Sequence, residues 1–390
     1  MHRPHLATLL AFALIAIGIF SAVASTKLEH SHARTARVAA LLDLQGAQAS
    51  IGRPAMNGFV LGLQHGSVHG LIPFAALIDT RSDPQATQSA ARQVVSSVSL
   101  AAGFTDNDSV LIAGPFFQRE RVPFLSIGAT DPALPKMVGK SIFLIPFGDN
   151  AQAAAAAEFG RREFGSLAAI LWDSTSQYSR TLPRYFRTRF EDLGGNVVLD
   201  ASYDGACDIT ALGQQVVSQQ PHFVYLAGLP ECIGNVVASL RAAGVTQPIV
   251  GGDGLDTPKL LLGDPGPTTN VWFTTHAWLS AQTGTAEAKA FIGLYRDAYG
   301  APPPDAFAAL GYDAARLMLD VLDRAQNKRG IFRALEQTDG FKGVTGTISF
   351  NSQSHVPLKT VWLITVQNGE KSLATSLVPD SVPPPILDGP

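Results

Sequence analysis

The chain has 390 residues, 46% of them hydrophobic and 16% charged. That is enough apolar material for two or three domain cores and too much for a disordered chain. The net charge is -3 and no basic run stands out, which argues against nucleic acid as a partner.

In chain order, the first signal is N-terminal. Arg3 precedes an uncharged apolar run over residues 6–24 that closes on Ala22-Val23-Ala24, the small-x-small pattern of a secretory cleavage site. We read residues 1–24 as a signal peptide that delivers the chain to the periplasm, with an uncleaved membrane anchor as the alternative. The remainder carries 28 basic against 32 acidic side chains, a balance of -4. No Cys follows the apolar run to take a lipid, and no second run is long and apolar enough to span a bilayer.

Past a polar stretch at 25–36, apolar strands alternate with helical patterns. Residues 38–43 form a short apolar strand, and Met56, Phe59, Val60 and Leu63 then repeat at helical spacing. A strand at 73–79 leads to Ser82-Asp83-Pro84, a capping side chain followed by proline in a first helical turn. Strands at 98–102, 122–127 and 142–145 continue the series, with a helix at 109–120. A second series has strands at 167–172, 196–203, 223–227, 248–250 and 272–275. Its helices are a stretch at 181–193 and runs marked by Ile209, Leu212 and Val216 and by Ile233, Val236, Val237 and Leu240. This rhythm predicts an α/β fold of two similar lobes, each a parallel sheet flanked by helices. Helices near 286–299, 304–325 and 331–335, strands at 346–350 and 361–367, and a proline-rich, unstructured tail close the chain.

Catalytic signatures are missing: there is no G-x-S-x-G, P-loop or G-x-G-x-x-G. The nine histidines show no metal-ligand spacing; His30 and His32 fall in the N-terminal segment, His222 opens a strand and His276 ends one. We therefore expect no enzyme, no cofactor and no metal. Polar and glycine-rich segments do gather at the C-terminal ends of strands, where open parallel sheets take their ligands. They are 103–109, Gly128-Ala129-Thr130-Asp131, 172–178 and Gly251-Gly252-Asp253-Gly254. A helix starting near Asp108 would offer free N–H groups to a carboxylate.

Three consecutive stretches, LLDLQGAQASIGRPAMNGFVLGLQ, DTRSDPQATQSAARQVV and GFTDNDSVLIAGPFFQRERVPFLSIGATDPALP, carry a resemblance. So do ILWDSTSQYSRTLPRYFRTRFEDLGG, FVYLAGLPECIGNVVASLRAAGV, IVGGDG and PDAFAALGYDAARLMLDVLDRA, in the same order. Over residues 38–367 the chain resembles the branched-chain amino-acid-binding family, the type I periplasmic solute-binding proteins of ABC transporters. The resemblance implies two Rossmann-like lobes joined by a three-crossing hinge, a ligand in the cleft between them, closure by hinge bending and a permease partner. We place one lobe at 36–149 and 277–344, the other at 150–276 and 345–378, and a flexible tail at 379–390, in a monomer. Sensors for amides or urea share this fold and are the second functional reading; a hydrolase with an unrecognised site is the third.

Residue by residue, the resemblance implies that Asn107 stands where the family has a serine gripping the ligand carboxylate. Gly128, Ala129 and Thr130 match the segment that holds the polar head. Asp253 replaces the commoner glutamate that receives the ammonium, and Tyr178 matches an aromatic of the second lobe. Ile51, Leu229 and Trp278 fall at or near positions that are aromatic in branched-chain binders. Asp106 and Asp108 flank Asn107; we expect them to cap the helix and point away, since acids lining the cleft would call for a neutral or cationic head. Cys207 and Cys232, the only two cysteines, both follow strands of the second lobe and can either pair or remain free thiols. A small amino-acid-like ligand, with an aliphatic amino acid favoured, is the resulting expectation.

Overall fold

The computed structural model describes residues 34–66, 71–262, 266–325 and 327–387; the proposed signal segment, His30 and His32 lie outside them. Two α/β lobes are present, as expected. The first sheet comprises β1 (Arg34–Leu42), β2 (Leu71–Asp79), β3 (Leu100–Gly103), β4 (Phe124–Ser126) and β5 (Ile142–Leu144). All its pairs are parallel, in the order β2-β1-β3-β4-β5. The second sheet starts with β6 (Leu167–Asp173), β7 (Asn196–Tyr203), β8 (Phe223–Ala227), β9 (Ile249–Gly251) and β10 (Val271–Thr275). After a small antiparallel hairpin, β11 (Phe341–Gly343) and β12 (Gly346–Ile348), it gains β13 (Val361–Gln367) and β14 (Glu370–Leu377) on its antiparallel side. Its order is β14-β13-β10-β9-β8-β6-β7. Central strands such as β3 and β8 are buried along their whole length, which is why they read as unbroken apolar runs.

Each sheet has one place where the order reverses: between β1 and β3 in the first, and between β6 and β8 in the second. Connections leaving the strand ends diverge there and open a crevice. The chain crosses between lobes after β5, after β10 and before β13. The buried Lys359 ties the last crossing to the first: its ammonium donates to Ile145 O (3.0 Å) and to Thr345 Oγ1 (2.6 Å).

Several expectations need correction. The helix Asp149–Glu163 was not predicted, because its alanines 151 and 153–157 are buried on every side and leave no apolar stripe to read. The segment 346–350 belongs with the first lobe, not the second: Ile348 and Phe350 pack in the core around β1, β3 and β5. His355 also stays there, stacked on Phe143 with its carbonyl accepting Leu144 N. The tail is not loose over its described part. Asn150 donates to Pro383 O (2.8 Å), and Ile386 N donates to the Tyr185 hydroxyl (2.9 Å), which docks 383–386 on the second lobe. Cys207 and Cys232 are bonded, with Cα atoms 5.1 Å apart, although β6 lies between the strands they follow.

Helices Ala49–His65 and Ala306–Arg324 pack face to face in the first lobe. Glycines set their approach: a Cβ on Gly58 would stand 1.8 Å from Ala308 O, and one on Gly311 would stand 1.9 Å from Ala55 O. The N-terminal ends of these helices carry Ile51 and Phe307. Gly58→Ala is therefore expected to destabilise the protein by about 1–3 kcal/mol through overpacking. Gly293→Ala, whose added Cβ meets nothing within 4 Å on helix Ala286–Tyr299, should be neutral or stabilising. Urea melts of the two variants check this, and equal midpoints would refute the account.

Candidate functional site

The two crevices face each other and line one cavity between the lobes. The first lobe contributes Gln48 and Ile51 after β1, Thr105, Asp106, Asn107 and Asp108 after β3, Gly128 and Thr130 after β4, and Phe307. The second contributes Ser176 and Tyr178 after β6, Leu229 and Pro230 after β8, and Asp253 and Gly254 after β9. The interior leaves about 60 Å³ to the centre of a water molecule, which is room for a small molecule only. Gln177 bridges the lobes. Its backbone N–H donates to Asp108 Oδ2 (3.2 Å) and its side-chain amide donates to Asp131 Oδ2.

The elements explain these positions. Helix Asn107–Glu120 starts at the end of β3 because Asp106 caps it, accepting Ser109 N at 2.7 Å. Asn107 is thereby held in the first turn, and its Oδ1 accepts both Thr130 N (2.9 Å) and Asp131 N (3.1 Å). Helix Gln177–Asp192 starts at the end of β6 under a Ser176 cap, which sets Tyr178 against the cavity. The Tyr178 hydroxyl accepts Gly254 N at 3.1 Å. The Cys207–Cys232 bond anchors the far end of the loop that presents Leu229 and Pro230.

Of the residues expected in the site, Ile51, Asn107, Gly128, Thr130, Tyr178, Leu229 and Asp253 line the cavity. Ala129 does not: it is buried in its own turn, where Ser126 Oγ bonds its N–H and carbonyl. Trp278 does not either. Its indole N–H donates to Thr283 Oγ1 (2.8 Å) in a separate hollow beside Pro303 and Pro304. Asp106 and Asp108 do not point away; both line the cavity. Sequence reasoning missed Gln48, Pro230 and Phe307, and took in Ser176 only as part of the strand-end segment 172–178. Among these, only Ser176 carried a signal, as a capping residue at a strand end.

Behind the cavity lies a buried polar chain. Asp253 accepts Gln152 Nε2 on Oδ1 (2.8 Å), and its Oδ2 meets His276 Nε2 (2.9 Å). Gln152 Oε1 in turn accepts Asp253 N and the Thr274 hydroxyl, and Gln152 Nε2 also donates to Asp149. Burial holds His276 below the usual imidazole range, so at neutral pH a neutral ring donates Nε2–H to Asp253. Burial and the charges of Asp253 and Asp131 push the Asp149 carboxyl well up. Asp253 thus faces the cavity with each oxygen already taking one bond from the protein, and is not the bare counter-charge expected for an ammonium.

Three comparisons bear on this arrangement. Residues 35–371 match the family described as periplasmic binding protein. Over 234 residues the chain is 24% identical to the leucine-, isoleucine-, valine-, threonine- and alanine-binding protein of Pseudomonas aeruginosa, covering 58% of this chain and 63% of that one, just under two thirds of the relative's length. Among solved structures, it is similar to a leucine-binding protein, LivK, of Thermotoga maritima (TM-score 0.82, 27% identity, 88% of this chain and 99% of that one). It is also similar to LivJ of Streptococcus pneumoniae in complex with isoleucine (TM-score 0.80, 25% identity, 88% and 99%). The family and these relatives are binding proteins, not enzymes.

Burial and the neighbouring charge of Asp43 push Asp106 up to about 7, with Asp108 adding to the shift. A carboxyl raised in the folded state favours folding below its unfolded value, near 4, and loses that contribution as pH rises through the folded value. Asp106→Asn keeps the cap, because an Asn oxygen also accepts the Ser109 amide. The variant should therefore melt above the parent at about pH 8, with a much smaller gap at about pH 4.5. Thermal melts at both pH values test this, and a gap that does not grow with pH would count against a buried, raised Asp106.

Proposed function

The chain belongs to the periplasmic binding protein family, and from that premise we propose that it is the extracytoplasmic solute-binding component of an ABC transporter. It closes its lobes around one small amino-acid-like solute and presents the closed form to a membrane permease. The observation that supports this reading is the cavity between the lobes, lined by residues of both and bridged by Gln177.

The cavity has an apolar end and a polar end. Ile51, Leu229, Pro230 and Phe307 suit a short aliphatic body, while Thr105, Asp106, Asn107 and Thr130 suit a polar head. The amino-acid ligands named for the similar proteins agree with such a shape. Asn107, Gly128, Thr130, Tyr178, Asp253, Ile51 and Leu229 are the residues we assign to ligand contact. The apolar run at 6–24 would direct the chain to the periplasm. None of the helices in the described residues is long and apolar enough to cross a membrane.

The test is a thermal-shift screen of residues 25–390 against amino acids, their amides and amines, urea and hydroxybenzoates. At least one solute should raise the melting temperature, by mass action on the native state. The same solute should shrink the radius of gyration in solution scattering, and Leu229→Trp, which fills the apolar end, should abolish both effects. A flat response from a folded protein to the whole panel would overturn the reading.

A further inference from the structure

We propose that the solute is a small monocation: an ammonium with a neutral oxygen acceptor beside it and no free carboxylate, as in an α-amino amide. The inference rests on the solute-binding reading above and concerns the head group alone.

Charge is the first argument. Asp106, Asp108 and Asp253 line the cavity, and among the described residues no Lys, Arg or His does. Asp253 is met by His276 and Gln152, and Asp108 by the neutral Gln177 amide, so no cation in the lining balances Asp106. A carboxylate entering this space meets like charge at short range, whereas an ammonium meets its opposite.

Hydrogen-bond inventory is the second. Two backbone donors beside Asn107, Thr130 N and Asp131 N, both already donate to its Oδ1. Three buried polar atoms of lining residues have no partner: Asp106 Oδ2, Asn107 Nδ2 and Thr105 Oγ1. The Asn107 amide cannot be turned the other way, because two backbone N–H groups fix its oxygen. The unmet needs are therefore an acceptor on Asp106, a donor on Asn107 and a hydroxyl on Thr105. An ammonium satisfies the first and a neutral carbonyl oxygen the second. A free amino acid brings the ammonium but sets a full negative charge close to Asp106.

The raised Asp106 carboxyl is compatible with this: burial first, and then the charges of Asp43 and Asp108, hold it up, and a cation beside it would draw it back toward its ionised form.

Calorimetric titration of residues 25–390 with matched sets tests the idea: leucine, leucinamide and 3-methylbutylamine; valine and valinamide; and 4-hydroxybenzoate as a carboxylate without an ammonium. The expected order is amide first, amine second and amino acid last, with the amide at least tenfold tighter than the acid. Asp106→Asn should weaken the amide at least tenfold without weakening the amino acid, in a variant whose melting curve shows it folded. If an amino acid or the hydroxybenzoate binds more tightly than the amides, the head-group inference falls while solute binding stands. If the amide binds first but Asp106→Asn leaves it unchanged, the role of Asp106 falls. If nothing in the sets binds, both the inference and the reading beneath it are overturned.

Discussion

Parallel pairing is the constraint on which the rest of the molecule depends. When neighbouring strands run the same way, every connection leaving a C-terminal end emerges at one edge, and helices must return the chain to the other. β1, β3 and β4 deliver Ile51, Thr105 to Asp108, Gly128 and Thr130 to one such edge. β6, β8 and β9 deliver Ser176, Tyr178, Leu229, Pro230, Asp253 and Gly254 to another. Three crossings hold the two edges opposite each other. The cavity is thus a by-product of topology, and its chemistry is decided by whichever residues the loops carry.

The crossings are wired to that chemistry. His276, in the second crossing, bonds Asp253 at the cavity wall and packs its ring 4.0 Å from Phe147 in the first. Lys359, in the third, reaches back to Ile145 in the first and to Thr345, whose amide and hydroxyl donate to the buried Asp313. Burial lowers the Lys359 ammonium to about 8, with Asp313 working in the other direction. Polar groups this deep are costly unless their bonds are made, so the hinge has few arrangements that satisfy all of them. Such a network favours discrete open and closed states over a continuum.

Much of this was legible in the sequence. Strand runs such as Phe223–Ala227 were unmistakable because burial on both faces leaves only apolar residues. The helix start at Asp83 followed from capping chemistry. Other features were hidden for physical reasons. The helix Asp149–Glu163 lacks a polar face along its buried alanines, so periodicity could not reveal it. The docked tail looks like loose proline-rich chain because its anchors, Asn150 and Tyr185, lie more than 200 positions away. In the site, strand ends pointed to Asn107, Thr130 and Asp253. What those side chains do was not readable, since Asn107 turns its oxygen to two amides and Asp253 to Gln152 and His276 only through contacts made in three dimensions.

The unpaired atoms at the head of the cavity also bear on how closure is controlled. When the lobes part, water reaches Thr105, Asp106 and Asn107 and completes their hydrogen bonds. When they close on an empty cavity, Asp106 Oδ2, Asn107 Nδ2 and Thr105 Oγ1 lose those partners. Each loss costs about 1–3 kcal/mol. Three together cost about 3 kcal/mol or more, which exceeds the 2.7 kcal/mol or so that corresponds to a hundredfold population difference. The Gln177 latch offers only a pair of bonds in return, each replacing one to water. Under the proposed function an empty cleft would therefore stay mostly open, and a solute would shift the balance by the bonds it restores in the closed state alone. On that proposal the groups that would select the solute are the groups that would make closure depend on it.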